Sequence, residues 1–451
     1  MNKPQRQRDI FWFWLPLFAS WLLMTAEGPI ISAAINRLPD EVIMLAAQGI
    51  VMSLSVMIES PIINILATST ALVQDYASYR LVRKFTITMA LILTVVAALV
   101  AFTPLFQVVV VTWLEAPPEV ARWVRPGMQI MTLWSAAIAW RRFLQGIMIR
   151  FGQTRKVAWG TAVRLFTSGG TVVVLAFLSN WPGVIIGATA LIVGVIAEAA
   201  YATVAVRPLL QTELHPDKPS TNNDPLTYRS LFWFHLPLAA TSLLILLAQP
   251  LVTSSLARLP LPTESLAAWP VLFQMMLMAR AAALALPEVV IALSKNPNAF
   301  IPIRRFTVTL SVAGTLLLGL LIFTPAARFY LFTVQDMTPA VGELAVAGLQ
   351  MFLFFPALAT VTSWLRGLLI NDKKTKLVNW GMGINLVITA VTLLIGLLTQ
   401  QPGLPTAAVA LNLASLAEVV YLGWRASHVL PMGKDLWRPM PARDWGLEIG
   451  D

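Results

Sequence analysis

Apolar residues run along this chain in blocks of roughly twenty, each closed by a short polar or basic stretch. Blocks of that length cross a hydrocarbon layer of about 30 Å when coiled at about 1.5 Å per residue. The pattern predicts helices over 11–35, 42–70, 85–110, 119–148, 157–178 and 183–206, and again over 229–258, 263–293, 305–327, 339–370, 376–398 and 403–428. The first block has no cleavage site of the signal-peptide kind and continues past signal-peptide length, so it reads as the first of twelve spans.

The two sets of six are copies. FWFWLPL at 11–17 returns as FWFHLPL at 232–238, an offset of 221. The same offset carries Pro29 to Pro250, Arg37-Leu38-Pro39 to Arg258-Leu259-Pro260, and Phe102-Thr103-Pro104 to Phe323-Thr324-Pro325. It also carries Gly127 to Gly348 and Gly146 to Gly367; near the end it slips to 220, where AEAAY (197–201) meets AEVVY (417–421). Six spans per copy is an even number, so both copies enter the membrane from one side. That arrangement implies a pseudo-two-fold axis along the membrane normal, with a substrate cavity between the halves. The expected division is a six-helix lobe over 1–210, a cytoplasmic linker over 211–228, a second lobe over 229–430 and a cytoplasmic tail over 431–451.

Composition agrees with a membrane protein: 57% of the 451 residues are hydrophobic and only 12% are charged, against about a quarter charged in a soluble chain. The net charge of +10 might suggest nucleic acid, but its placement reports topology instead. Twenty-three Lys and Arg fall on one side of the twelve-span trace and five (Arg37, Arg122, Arg125, Arg258 and Arg328) on the other. Positive residues collect on the cytoplasmic side, so both termini are expected there, in the cell's inner (plasma) membrane. No nucleic-acid partner is expected. The chain has no cysteine and three scattered histidines, and no phosphate loop, nucleophile elbow or Gly-rich dinucleotide motif. No metal site, cofactor or enzymatic activity is therefore expected.

Two folds share a six-plus-six plan, the major facilitator fold and the multidrug/oligosaccharidyl-lipid/polysaccharide (MOP) flippase fold, and periodicity does not separate them. The segments AEGPIISAAINR (26–37), MLAAQGIVMSL (44–54) and LFFPALATVTSWLRGLLINDKKT (353–375) resemble the progressive ankylosis protein family. That family stands in the MOP superfamily beside the multidrug and toxic compound extrusion (MATE) transporters. The resemblance implies an all-α integral membrane protein of two parallel-repeat lobes that exports small polyanions such as pyrophosphate, ATP or citrate. The terminal arms of the animal proteins are absent.

Charge inside the membrane is costly, at least about 2.5–3.5 kcal/mol per residue left in lipid, and marks candidate chemistry. Glu198 and Glu418 occupy matched positions and are expected to pair with loop arginines or lysines. Glu27, two residues before Pro29, has only Ala248 as its counterpart. It is either a cation-coupling carboxylate or a buried acid paired with an arginine such as Arg164. Glu59 is matched by Arg280 at the offset of 221, so the two are candidates for an ion pair across the lobes. Arg141, Arg142 and Arg164 have no basic counterparts, and forked guanidinium donors suit phosphate and carboxylate oxygens. The expectation is a monomeric secondary active transporter with Arg141, Arg142, Arg164 and Arg280 on an anionic substrate. Glu27 and Glu59 then serve coupling to H+ or Na+ or gating, with membrane lipids around the whole. The rivals are a proton- or sodium-driven exporter of cationic drugs, whose carboxylates bind substrate, and a flippase for a lipid-linked saccharide. Of the sixteen tryptophans, Trp12, Trp14, Trp113, Trp123, Trp181 and Trp233 are expected in interfacial belts, and Trp134, Trp140 and Trp269 deeper.

Overall fold

A computed structural model describes residues 6–216, 226–294, 299–372, 374–431, 433 and 436–437. Lys3, Lys218, Lys295 and Lys373, the middle of the expected linker and nearly all of the expected tail lie outside them. The first half comprises α1 (Gln7–Thr25), α2 (Glu27–Ile35), α3 (Glu41–Glu59), α4 (Ile65–Leu72), α5 (Tyr76–Phe102), α6 (Pro118–Ile130), α7 (Trp134–Arg150), α8 (Thr154–Leu178) and α9 (Gly183–Thr212). The second comprises α10 (Tyr228–Leu246), α11 (Ala248–Arg258), α12 (Pro262–Ala279), α13 (Ala281–Leu284), α14 (Leu286–Leu293), α15 (Phe300–Phe323), α16 (Pro325–Arg328), α17 (Pro339–Met351), α18 (Phe355–Asn371), α19 (Thr375–Leu398) and α20 (Gly403–Val429). No strand occurs among the described residues.

Nine continuous or gently bent helices are long and apolar enough to cross a membrane, and two sharply bent pairs raise the number to eleven among the described residues. The expected span over 119–148 is also helical, as α6 and α7, but it is split and carries Glu119, Arg122, Arg125, Arg141 and Arg142. The long helices start earlier than the apolar pattern indicates. Arg80, Arg83 and Lys84 lie in α5, and Arg155 and Lys156 in α8, where loops were expected. Helical hydrogen bonding continues past the end of the apolar block, so charge marks where the lipid ends and not where the helix does.

The duplicated prolines act differently from one another. Pro29 removes the donor that would reach Thr25, and the helix breaks at Ala26; Pro250 does the same opposite Leu246, and the helix breaks at Leu247. Pro16 and Pro237 sit inside unbroken α1 and α10.

The lobes meet mainly where α3 packs along α12. A Cβ on Gly49 would stand 2.6 Å from the Pro270 side chain. These two positions are each other's counterpart, so the pseudo-axis passes between them. Around it, hydrogen bonds come in reciprocal pairs. Ser32 bonds Gln274 at 3.1 Å, and Thr253 bonds Ser53 at 3.3 Å. Arg37 donates to the Val334 carbonyl at 2.9 Å, and Arg258 donates to the Trp113 carbonyl. Both acceptors end π-helical segments, Phe329–Val334 and Gln107–Trp113. Gln335 adds a bond made in one direction only, from its amide to the Pro29 carbonyl at 3.2 Å.

The one difference within the repeated heptapeptide falls on such a pair. Trp14 donates its indole N–H to the Ala282 carbonyl at 3.0 Å, and His235 places Nε2 2.8 Å from the Pro61 carbonyl. A carbonyl only accepts, so His235 Nε2 carries the proton, and Nδ1 faces the Thr68 hydroxyl at 2.8 Å. Matched phenylalanines stand edge-on to both rings, Phe306 to Trp14 and Phe85 to His235. Trp14 is thus buried against the other lobe and is no part of an interfacial belt. The N–H donor is what the site requires. Trp14→Ala is expected to cost about 3–5 kcal/mol, while Trp14→His, keeping a donor and an edge for Phe306, is expected to lose clearly less. Melting curves of the two variants decide this; equal losses would mean that ring volume alone matters.

Candidate functional site

Six ionisable side chains come together inside the first lobe: Glu27 on α2, Glu59 at the end of α3, Arg141 and Arg142 on α7, Arg164 on α8 and Glu198 on α9. Four are joined in two tight pairs. Arg164 grips Glu27 with both arms of its fork, Nε to Oε1 at 3.1 Å and Nη2 to Oε2 at 2.5 Å, and lies 5.5 Å over the Trp134 ring. Arg141 donates to Glu198 Oε2 at 2.8 Å while Gln145 donates to Oε1 at 2.9 Å. Arg141 and Glu198 are 3% and 0% exposed. Of the two readings of Glu27, the geometry here is that of the paired acid.

Glu59 and Arg142 are the two left over. Glu59 is 6% exposed, and its Oε2 is buried with no hydrogen-bond partner. Arg142 exerts the largest electrostatic pull on it, followed by Arg141, with Arg164 also contributing. Yet no ion pair or hydrogen bond joins Glu59 to Arg142 among the described residues, and Arg142 Nε is buried and unpartnered. The Trp134 indole N–H, close to the same carboxylate, has no partner either.

The ion pair expected between Glu59 and Arg280 is absent from this conformation. Both lie ten residues past the Gly49–Pro270 crossing, about 15 Å along their helices, where the lobes meet through α1 and α10 instead of through α3 and α12. No packed interface joins α4 and α7 to α14 and α18 among the described residues. Arg280 instead stands 6.0 Å over the Phe355 ring with Nε unpartnered, and the charge acting on it is another cation, Arg366.

The second lobe keeps the matched acid and changes what holds it. Glu418 Oε1 accepts from Arg366 at 2.5 and 2.8 Å, and Oε2 accepts from Asn385 at 3.0 Å. Arg366 is the counterpart of Gln145 and Asn385 of Arg164, so arginine and amide have exchanged places around a constant glutamate. Both matched acids are therefore held by arginines from within helices, where loop partners were expected. Glu288 is exposed on α14. The first lobe's cluster balances three acids against three bases; in the second, Arg366 is paired with Glu418 and the one charge acting on Arg280 is Arg366. Sequence reasoning missed Gln145, Arg366 and Asn385 as partners. Laying each intramembrane acid's neighbours on the offset would have found them.

No protein-family model matches the chain, and no curated protein matches it. Solved structures do, over nearly all of its length. An inward-facing multidrug resistance MATE family transporter of the MOP superfamily superposes with a TM-score of 0.67 at 13% identity, covering 92% of this chain and 95% of that one. A MOP superfamily transporter from Pyrococcus furiosus, described as having a binding pocket of reverse polarity, gives 0.63 at 11% identity over 97% and 98%. The lipid II flippase MurJ, in an inward closed conformation, gives 0.64 at 13% over 96% and 89%. The chain has the MATE/MOP transporter fold.

Proposed function

We propose that this chain is a secondary active transporter working by alternating access, which exports a small organic or phosphate-bearing anion coupled to a cation. The reading places it in the inner membrane with twelve spans and both termini in the cytoplasm. The end closed by Arg37 and Arg258 is then the outer one. The single observation that carries the anion assignment is Arg280: a guanidinium inside the second lobe, with no carboxylate on it and a second arginine beside it. A lone charge held there is costly without a counter-ion, and a bound oxyanion supplies one. Arg142 is the matching donor in the first lobe. Arg141 and Arg164, occupied by Glu198 and Glu27, hold the first lobe together, and Glu59 takes the coupling role. This substrate class is also the one that the resemblance to the progressive ankylosis family implies.

Thermal stabilisation of the purified protein tests it, because a ligand selective for the native state raises the melting point by mass action. Pyrophosphate, ATP or citrate is expected to stabilise the protein, and the effect to disappear in Arg280→Gln. Stabilisation by a lipophilic cation that depends on Glu59 would instead identify a drug exporter. Stabilisation only by a lipid-linked pyrophosphate would identify a flippase.

A further inference from the structure

The first lobe's cluster holds one acid and one base that are not satisfied by each other. Glu59 and Arg142 are close enough for Arg142 to be the dominant charge on Glu59, and too far apart to bond. Every other charge in the cluster has a direct partner. We propose that this open pair makes proton and anion bind together: protonation of Glu59 releases Arg142 to take an oxyanion. The proposal rests on the anion reading above.

The argument is one of charge balance in a site with little water. With Glu27, Glu59 and Glu198 ionised against Arg141, Arg142 and Arg164, the cluster is neutral, and an incoming anion must compete with Glu59 for Arg142. A proton on Glu59 leaves a net charge of +1, and the anion restores neutrality. At low effective dielectric each state with an unbalanced charge is disfavoured. Proton alone and anion alone are therefore both worse than the two together. A coupling of this kind is reciprocal, so the anion raises the proton affinity by the factor by which the proton raises the anion affinity.

The other groups around α3 are engaged elsewhere. On α10, His235 is bound to Pro61 and Thr68. On α5, Arg83 lies over Trp140, and on α6, Arg125 donates to the carbonyls of Ala101 and Thr103. On α11, Arg258 is paired with Glu115, and on α12, Arg280 makes no ion pair with Glu59. Glu59 is thus the acid whose ionisation the three arginines of its own lobe decide. A proton needs one carboxylate oxygen, which Glu59 Oε2 offers, whereas hard metal cations collect about six oxygen ligands. No group of three or more His, Asp or Glu is placed to hold a metal ion among the described residues.

The test uses the full chain in detergent with inorganic pyrophosphate as the probe. Its affinity is followed from about pH 5.5 to 8.5, across the range where a buried carboxyl titrates. Addition of pyrophosphate to the unmodified protein in weak buffer is expected to draw up close to one proton per site beyond what the ligand itself exchanges. Above the carboxyl's pKa, affinity is expected to fall about tenfold per pH unit relative to Glu59→Gln, whose slope reports the ligand's own ionisation. Glu59→Gln should bind tightly throughout, and Arg142→Gln should lose the linked proton. If pyrophosphate binds but wild type and Glu59→Gln share one slope, or protons are released, the coupling is overturned and the anion reading stands. If neither wild type nor Glu59→Gln binds pyrophosphate at any pH, both fall.

Discussion

Arg141→Ala is expected to lower the melting temperature of the purified protein by roughly 6–20 °C. The figure comes from about 3–5 kcal/mol for stripping one partner from a buried ion pair, at about 2–4 °C per kcal/mol for a unit the size of one lobe. Glu198, fully buried, would keep only Gln145. The double change Arg141→Ala with Glu198→Gln removes the orphaned charge and is expected to recover much of the loss, because most of the penalty is the uncompensated carboxylate and not the missing attraction. Arg142→Ala, one residue along the same helix, removes no ion pair and is expected to shift the melting temperature far less while abolishing anion binding. Thermal melts of the three variants, with and without pyrophosphate, separate structure from binding. A melting temperature in Arg141→Ala within a degree or two of wild type would refute the assignment of this arginine to the scaffold.

Gly146→Ala is expected to be at least as damaging to folding, although alanine is the better helix former by about 1 kcal/mol. A Cβ at 146 would stand 2.5 Å from the Leu66 carbonyl oxygen and 2.6 Å from Ser69 Cβ, both fixed to the backbone of α4. The Thr70 hydroxyl donates to the Gly146 carbonyl at 3.1 Å across the same contact. No rotamer relieves the clash, so α4 must move away from α7, with a cost at or above the usual overpacking range of about 1–3 kcal/mol. Displacing α7 also displaces Arg141 and Arg142. The control is Gly170→Ala on α8, where nothing lies within 4 Å of the new methyl; there the propensity gain is expected to appear as a small stabilisation. Folded yield and melting temperature of the two variants read out the difference, and like behaviour at both positions would refute the close-approach argument.

The sequence made the offset of 221 visible, and with it nearly every lobe–lobe contact could be written twice once it was known once. Contacts within the lobes repeat as well: Gly146 and Gly367 each sit where a neighbouring helix of the same lobe crosses closely, Gly367 against Val290. Partner choice was harder to see. Glu59 opposite Arg280 looked like a bond because equal depth on opposite lobes is all that an offset records. It records nothing of how far the helices have diverged below Gly49 and Pro270. The distinction between Arg141 and Arg142 was likewise hidden, since adjacent helical residues point about 100° apart and only the position of α9 decides which one meets Glu198.

The reciprocal bonds have a consequence for how such a chain arose. Trp14 with Ala282 and His235 with Pro61 are one contact made in both directions, as are Arg37 with Val334 and Arg258 with Trp113. A contact in which residue i meets j while j meets i is the signature of an isologous two-fold interface. A six-helix chain before gene fusion carries both the donor and the acceptor of each bond, so two identical copies inserted in the same orientation would have closed every one of them. Fusion then freed each copy to drift by itself: tryptophan to histidine at one end of the interface, and one balanced and one unbalanced set of charges within the lobes. In this view the difference in charge between the two lobes is younger than the interface that joins them.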